Sequence, residues 1–220
     1  MKNLLRKKIA EHINKVLDEE YPKSFDIEHF KTLTSFNKRI QYCQQHLERI
    51  SSGSSRIVYK IDDEKVLKLA RNKKGLAQNE AEIYQGDIKD LSFILTQVYD
   101  SNENNLWAEM EWAPKPTKAK FKNIAGVDFD TYAKLIHNHG VDNSPPTHSS
   151  HKYKVPKDIT EWSWEDEFMY EVYMYIGSYD INPSDLTKLS SYGIVKRDGE
   201  EQIVIVDFGL TDDVSSNHYE

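Results

Sequence analysis

Ile203-Val204-Ile205-Val206-Asp207-Phe208-Gly209-Leu210 is the stretch that decides how this chain reads. Four β-branched apolar residues in succession read as a short buried strand. Packing fixes the position of such a strand, and with it the carboxylate at its tip. Gly209 then permits a turn directly after it. An aspartate held in this way suits a metal ligand. The plainer reading is an aspartate that caps a turn at a strand end. The choice between them depends on what lies upstream.

Working outward, residues 193–206 read as a hairpin and 180–192 as a loop carrying Asp185-Leu186-Thr187-Lys188-Leu189-Ser190. Before it, Trp164 to Ile176 reads as a strongly apolar helix, with Phe168, Val172, Tyr175 and Ile176 on one face. Residues 142–156 are loop-like. A helix is expected over 128–138 with Asp128 as N-cap, and a loop rich in Lys and Pro over 113–126. Phe93–Tyr99 and Leu106–Trp112 read as strands across a turn at 100–105, and residues 76–86 as a helix. Arg56–Ile61 and Lys65–Ala70 read as a hairpin across Asp62-Asp63-Glu64. The first fifty residues read as two amphipathic helices, 3–20 and 26–50, with a break near Thr34-Ser35. Ser51-Ser52-Gly53-Ser54-Ser55 stops the second. This order of elements predicts an α+β fold.

Composition sets bounds. The 220 residues suit one domain or a two-lobed one, and a chain of this length buries about 70% of its unfolded surface. Hydrophobic residues make up 38% and charged residues 30%. No apolar run approaches the roughly 20 residues a membrane helix needs. The basic start, Met1-Lys2-Asn3, leads into no apolar segment, so no signal peptide is expected. The single cysteine, Cys43, excludes an internal disulfide and fits a reducing, cytoplasmic setting. A net charge of −7 argues against a nucleic-acid partner.

Several residues carry chemistry. Lys68 lies among Val66, Leu67, Leu69 and Ala70, and a lysine in an apolar strand is costly to bury unless paired. The helix at 76–86 offers two partners. Leu76, Glu80, Ile83 and Tyr84 share one face, so Glu80 is the first candidate and Glu82, on another face, the second. Small residues at Gly53, Ser54 and Ser55 let backbone N–H groups approach an anion, with hydroxyls as further donors. An ordinary helix stop would have the same composition.

Taken in order, these parts resemble the protein-kinase-like superfamily, in a compact form like those of some phages and bacteria, over residues 51–210. The resemblance implies a small antiparallel N-lobe at 51–113, a reduced helical C-lobe at 114–220 and an N-terminal helical extension at 1–50. It implies ATP and magnesium as cofactors and transfer of the γ-phosphoryl group to a protein or small-molecule acceptor. Gly53, Ser54 and Ser55 would cover the phosphates, Lys68 would hold them and Glu80 would orient Lys68. Backbone groups near Glu111 to Ala113 would meet the adenine edge. Asp185 would position the acceptor, with Asp180 and Asn182 as alternatives, Lys188 would lie beside the phosphates, and Asp207 with Ser190 would bind the metal. The sequence departs from the family pattern at three places. No His-Arg precedes Asp185; Ser190 or Ser191 stands where an asparagine is usual; and only eleven residues follow Gly209. These departures motivate a second reading, a pseudokinase that binds nucleotide or protein without turnover. The N-terminal helices could pack against the sheet or form a dimer surface.

Three other groupings carry less. His137, His139, His148 and His151 have zinc-like spacings but no cysteine nearby, and solvated loop histidines are the simpler account. Arg6 and His12 match the spacing of a HEPN ribonuclease motif, which arises by chance in basic helices. Lys115, Lys118, Lys120 and Lys122 form a local basic patch whose default is a solvated loop.

Overall fold

In the computed structural model, which describes residues 21–143, 151–179 and 181–218, a five-stranded antiparallel sheet and a two-stranded hairpin line a common cleft. The larger sheet contains β1 (Glu48–Ser52), β2 (Arg56–Lys60), β3 (Lys65–Ala70), β4 (Val98–Ser101) and β5 (Trp107–Glu111), in the order β1-β2-β3-β5-β4. The strand bearing Lys68 is therefore central. Its register places Lys68 beside Val58 on one neighbour and Ala108 on the other.

Strand alternation divides this sheet into two faces. Ile57, Tyr59, Leu67, Leu69 and Trp107 point to the back, where they share a core with Phe25, Phe30, Cys43 and Leu47. Those last residues flank or belong to α1 (Ile27–Thr32) and α2 (Phe36–His46), capped by Asp26 and Ser35. The expected break near Thr34-Ser35 is present. The second helix, however, ends at His46 rather than Ile50, and β1 begins two residues later at Glu48. Pairing with β2 overrides the helical spacing of Leu47 and Ile50. Arg6, His12 and the rest of the expected helix at 3–20 lie outside the described residues.

The other face carries Val66, Ala108 and Met110 into the main core. Below it lie α3 (Lys73–Gly86), α4 (Lys118–Ala125), α5 (Phe129–Asn143), α6 (Lys157–Glu165), α7 (Glu167–Ser178) and the short α8 (Pro183–Leu186). The hairpin β6 (Tyr192–Arg197) and β7 (Glu200–Ile205) follows, then α9 (Asp212–His218). Asp198 and Gly199 connect the hairpin with φ of 52° and 87°, as a two-residue turn between twisted strands requires. Rings of Phe121, Phe129, Tyr132 and Tyr192 meet edge-on or stacked, and the Tyr132 and Tyr192 hydroxyls lie 2.7 Å apart. Burial and this pairing push the Tyr192 hydroxyl pKa far above its ordinary value.

Several boundaries differ from expectation. Residues 118–125 form a helix capped by Thr117, because the lysines there alternate with Ala, Phe and Ile on a buried face. The apolar helix expected at 164–176 begins instead at Glu167, as α7, and a separate helix, α6, ends just before it at Glu165. Asp166 ends α6 and caps α7, accepting from the Met169 N–H at 3.0 Å. Regular strand begins only at Val98; residues 94–96 bond to Ile205 instead, tying β7 to the rim of the large sheet. Among the described residues, no helix is long and apolar enough to cross a membrane.

Candidate active site

Lys68 faces away from the back core because its neighbours Leu67 and Leu69 face into it. Its ammonium is buried against α3, whose inward face is polar: Gln78, Asn79, Glu82 and Gln85. Glu82, with no solvent exposure, accepts from Lys68 Nζ at 2.8 Å. It also accepts from Arg56 Nη1 at 2.7 Å, Arg56 Nη2 at 3.1 Å and the Phe208 N–H at 3.2 Å. Glu80 is exposed, in a shallow groove with Thr211 and Asp213. The partner of Lys68 is thus Glu82 and not Glu80. Orienting the helix by its apolar residues misleads here, since Tyr84 is 69% exposed. Buried cations need a buried carboxylate, and that demand turns the polar stripe inward.

Burial by itself would raise the Glu82 pKa, but the Arg56 and Lys68 charges outweigh it and hold the carboxyl below its ordinary range. Burial lowers the Lys68 pKa; Glu82 opposes that shift and the like charge of Arg56 adds to it.

Arg56 is the residue that sequence reasoning passed over as the first of a strand. Its guanidinium is nearly buried, forks onto Glu82, and reaches Asp207 Oδ1 at 2.7 Å. Asp207 follows the strand tip as expected, with its side chain 60% exposed toward the cleft. Lys68 Nζ also donates to the Val206 carbonyl. Arg56, Lys68, Glu82 and Asp207 therefore form one network of two cations and two carboxylates. Gly209 closes the turn under α3, where an added Cβ would lie 2.5 Å from the Gln78 carbonyl oxygen.

This network lines one side of a cleft of about 560 Å³. Above it is the β1–β2 turn. Gly53 and Ser54 are exposed at its rim, while Ser55 is buried and donates to Gln78 Oε1 at 2.6 Å. The Gly53 N–H is spent on the Arg56 carbonyl, and its own carbonyl accepts from Arg71 at 2.7 Å. On the connecting strand, Glu111 is held by Arg197, which also bonds the Ser92 and Leu95 carbonyls. The Glu111 and Trp112 N–H groups are taken by Gln97 and Glu64. Among the described residues, the peptide groups of Ala113 make no hydrogen bond, which leaves them for a ligand. Gly193 allows this segment to lie close, since a Cβ there would come within 2.5 Å of Ala113.

Asp185, Ser190 and Tyr192 form the opposite wall. Asp185 is placed by α8, which Asn182 caps, and is ion-paired with Lys188. The Tyr192 hydroxyl donates to the Leu186 carbonyl at 2.7 Å and fixes this loop to the core. Asp180, an alternative to Asp185, lies outside the described residues.

The cleft thus brings together Gly53, Ser54, Ser55, Lys68, Glu111, Ala113, Asp185, Ser190 and Asp207. Glu80 and Lys188 do not line it. A lysine on the central strand, a paired helix carboxylate, a hairpin turn above and a strand-borne Asp-Phe-Gly below is the arrangement the protein-kinase resemblance implies, with Glu82 in the helix position. The donor set suits magnesium poorly. Such an ion takes carboxylate oxygens and keeps waters around it. Here Asp207 is bridged to Arg56, Asp185 to Lys188 and Glu111 to Arg197. Among the described residues, no three His, Cys, Asp or Glu side chains converge as metal ligands do.

The histidines have structural partners. His139 stacks on Tyr173 with ring centroids 4.3 Å apart, and His137 meets Tyr153 edge-on. His148 lies outside the described residues. In the basic patch, Lys118 and Lys120 pair with Asp130 and Glu201, and Lys115 lines the cleft.

No protein-family model and no curated protein matches the sequence. Solved structures that are similar include APH(2'')-IIa in a streptomycin–ATP ternary complex, at 14% identity and a TM-score of 0.33, covering 81% of this chain and 71% of that one. Another is aminoglycoside phosphotransferase APH(2'')-Ib bound to ADP, at 15% identity and 0.31, covering 79% and 69%. A third is SAICAR-synthase from Saccharomyces cerevisiae complexed with SAICAR, at 12% identity and 0.33, covering 76% and 74%.

Proposed function

We propose that the cleft binds ATP and that the protein is a kinase-like phosphotransferase acting on a protein or small-molecule acceptor. The observation that carries this reading is the buried Lys68–Glu82 pair opening onto the same cleft as Asp207 and Asp185. Burying an ion pair is weak evidence for stability, so its place beside a cleft points to use. The volume falls in the range of small-molecule sites, roughly 300–1,000 Å³. The base would meet the peptide groups of Ala113. The phosphates would run beneath Gly53 and Ser54 toward Lys68, and Asp185 would orient the acceptor hydroxyl.

A second reading is a nucleotide-binding or protein-binding regulatory module without turnover. Its support is that the carboxylates lining the cleft are already ion-paired, Asp185 with Lys188, Asp207 with Arg56 and Glu111 with Arg197.

Thermal unfolding with increasing ATP tests the shared part of these readings. A ligand that binds only the folded state adds about 2.7 kcal/mol at a hundred times its dissociation constant. A shift with ATP that is absent in Lys68→Met supports the site; no shift with any nucleotide sinks it. Incubation with labelled ATP and candidate acceptors then separates the two. Transferred phosphate favours the enzyme, and binding without consumption of ATP favours the module.

A further inference from the structure

We propose that Arg56 is the resident cation of the cleft. It takes, at Asp207, the place of a divalent metal, so that nucleotide phosphates are bound by Arg56 and Lys68 without metal. The nucleotide part of this proposal rests on the reading of the cleft as an ATP site.

The geometry carries it in three steps. First, Arg56 is anchored. It begins β2 in register with Ala70, and both arms of its fork bond to Glu82, a carboxylate with no solvent exposure. Swinging away would leave Glu82 buried with Lys68 as its remaining cation, an arrangement that folding resists. Second, the same Nη2 that bonds Glu82 reaches Asp207 at 2.7 Å. The guanidinium thus stands between the buried carboxylate and the exposed one, and it holds an oxygen that a metal would use. Third, the charges are complete. A divalent ion at Asp207 would sit beside a guanidinium and an ammonium that are themselves nearly buried, and like charges at this range repel.

An arginine also suits the role chemically. Its charge is permanent, and its planar fork matches phosphate oxygens. Asp207, whose side chain is largely exposed, is the member free to turn away when phosphates arrive. Its function is then to hold the guanidinium in position for an incoming anion and to be displaced by it.

Calorimetric titration of ATP into the full chain, in EDTA and in magnesium, tests this directly. The expected result is equal affinity in the two buffers for the wild type. Arg56→Gln loses affinity in EDTA by about tenfold or more, the size of one charge-assisted hydrogen bond, and regains part of it with magnesium. Asp207→Asn is the fold-safe variant, since its side chain is mostly in solvent. It is expected to bind ATP at least as tightly as the wild type in both buffers. Wild-type binding that requires magnesium, or binding in magnesium that Asp207→Asn abolishes, overturns the proposal.

Manganese titration followed by electron paramagnetic resonance, without nucleotide, decides the matter independently. A wild type with no site that Asp207→Asn removes supports Arg56 as the cation. A wild-type site that Asp207→Asn removes refutes it. Absence of ATP binding in either buffer would refute the nucleotide reading, while the manganese result would still judge Arg56.

Discussion

At the scale of single residues, Glu82 holds the site together, with four donors on one buried carboxylate. Removing its charge strands two buried cations. Glu82→Gln is therefore expected to cost about 3–5 kcal/mol in urea denaturation. Glu80→Gln, on the exposed face, should stay within about 0.5 kcal/mol. Acid has a related effect. The Glu82 pKa is depressed in the folded state, so its contribution is fully present above the ordinary carboxylate range. That contribution is lost as pH falls through the lower folded value. Stability measured against pH should decline on the acid side more steeply in the wild type than in Glu82→Gln. Lys68 and Asp207 were legible in the sequence because each is a charge set in an apolar strand. Glu82 was legible only as the lesser of two candidates, since apolar spacing pointed to Glu80. Arg56 gave no local signal: an arginine opening a strand is ordinary until its cross-chain partners are known.

At the scale of elements, the site depends on close approaches between segments distant in sequence. The turn at Gly209 lies under α3, and any Cβ there strikes the Gln78 backbone. Gly209→Ala is expected to cost about 1–3 kcal/mol as backbone and helix shift apart, and to weaken ATP binding because the helix that moves carries Glu82, which holds Lys68 and Arg56 in place. Gly177, inside α7, has nothing within 4 Å of an added Cβ. Gly177→Ala should leave binding unchanged and stabilise by about 0.5–1 kcal/mol. Thermal melts with and without ATP check both variants. The strands β2, β3, β5 and the final hairpin could be read from alternation and turn residues. The helix at 118–125 could not, because three lysines are interleaved with the few apolar residues that define its buried face. Nor could the division between α6 and α7, where only the middle residue of the acidic run Glu165-Asp166-Glu167 serves as the cap.

Across the whole molecule, the α+β order was readable, but not which layers would meet. The region expected to be a helical extension supplies β1 and covers the back of the sheet, where Phe30 meets Trp107 with ring centroids 6.1 Å apart. Two further ties cross the cleft: Arg197 to the Glu111 strand, and Glu82 to the Phe208 N–H. The back layer and the cleft should therefore unfold as one unit. Phe30→Ala is expected to cost about 3–5 kcal/mol, with tryptophan fluorescence and far-UV circular dichroism still following coincident transitions. Separated transitions would show that the layers are independent.

Cys43 gives this arrangement a built-in reporter. The chain's single sulfhydryl lies with no solvent exposure between α2 and the sheet, and burial pushes its pKa up to about 12. A thiol reagent cannot reach it, nor find it as thiolate, while the layers stay joined. Its modification rate, compared with that of a free thiol, consequently measures how often the back of the molecule parts, with no engineered label. If ATP slows that rate, ligation in the cleft is felt on the opposite face of the same sheet.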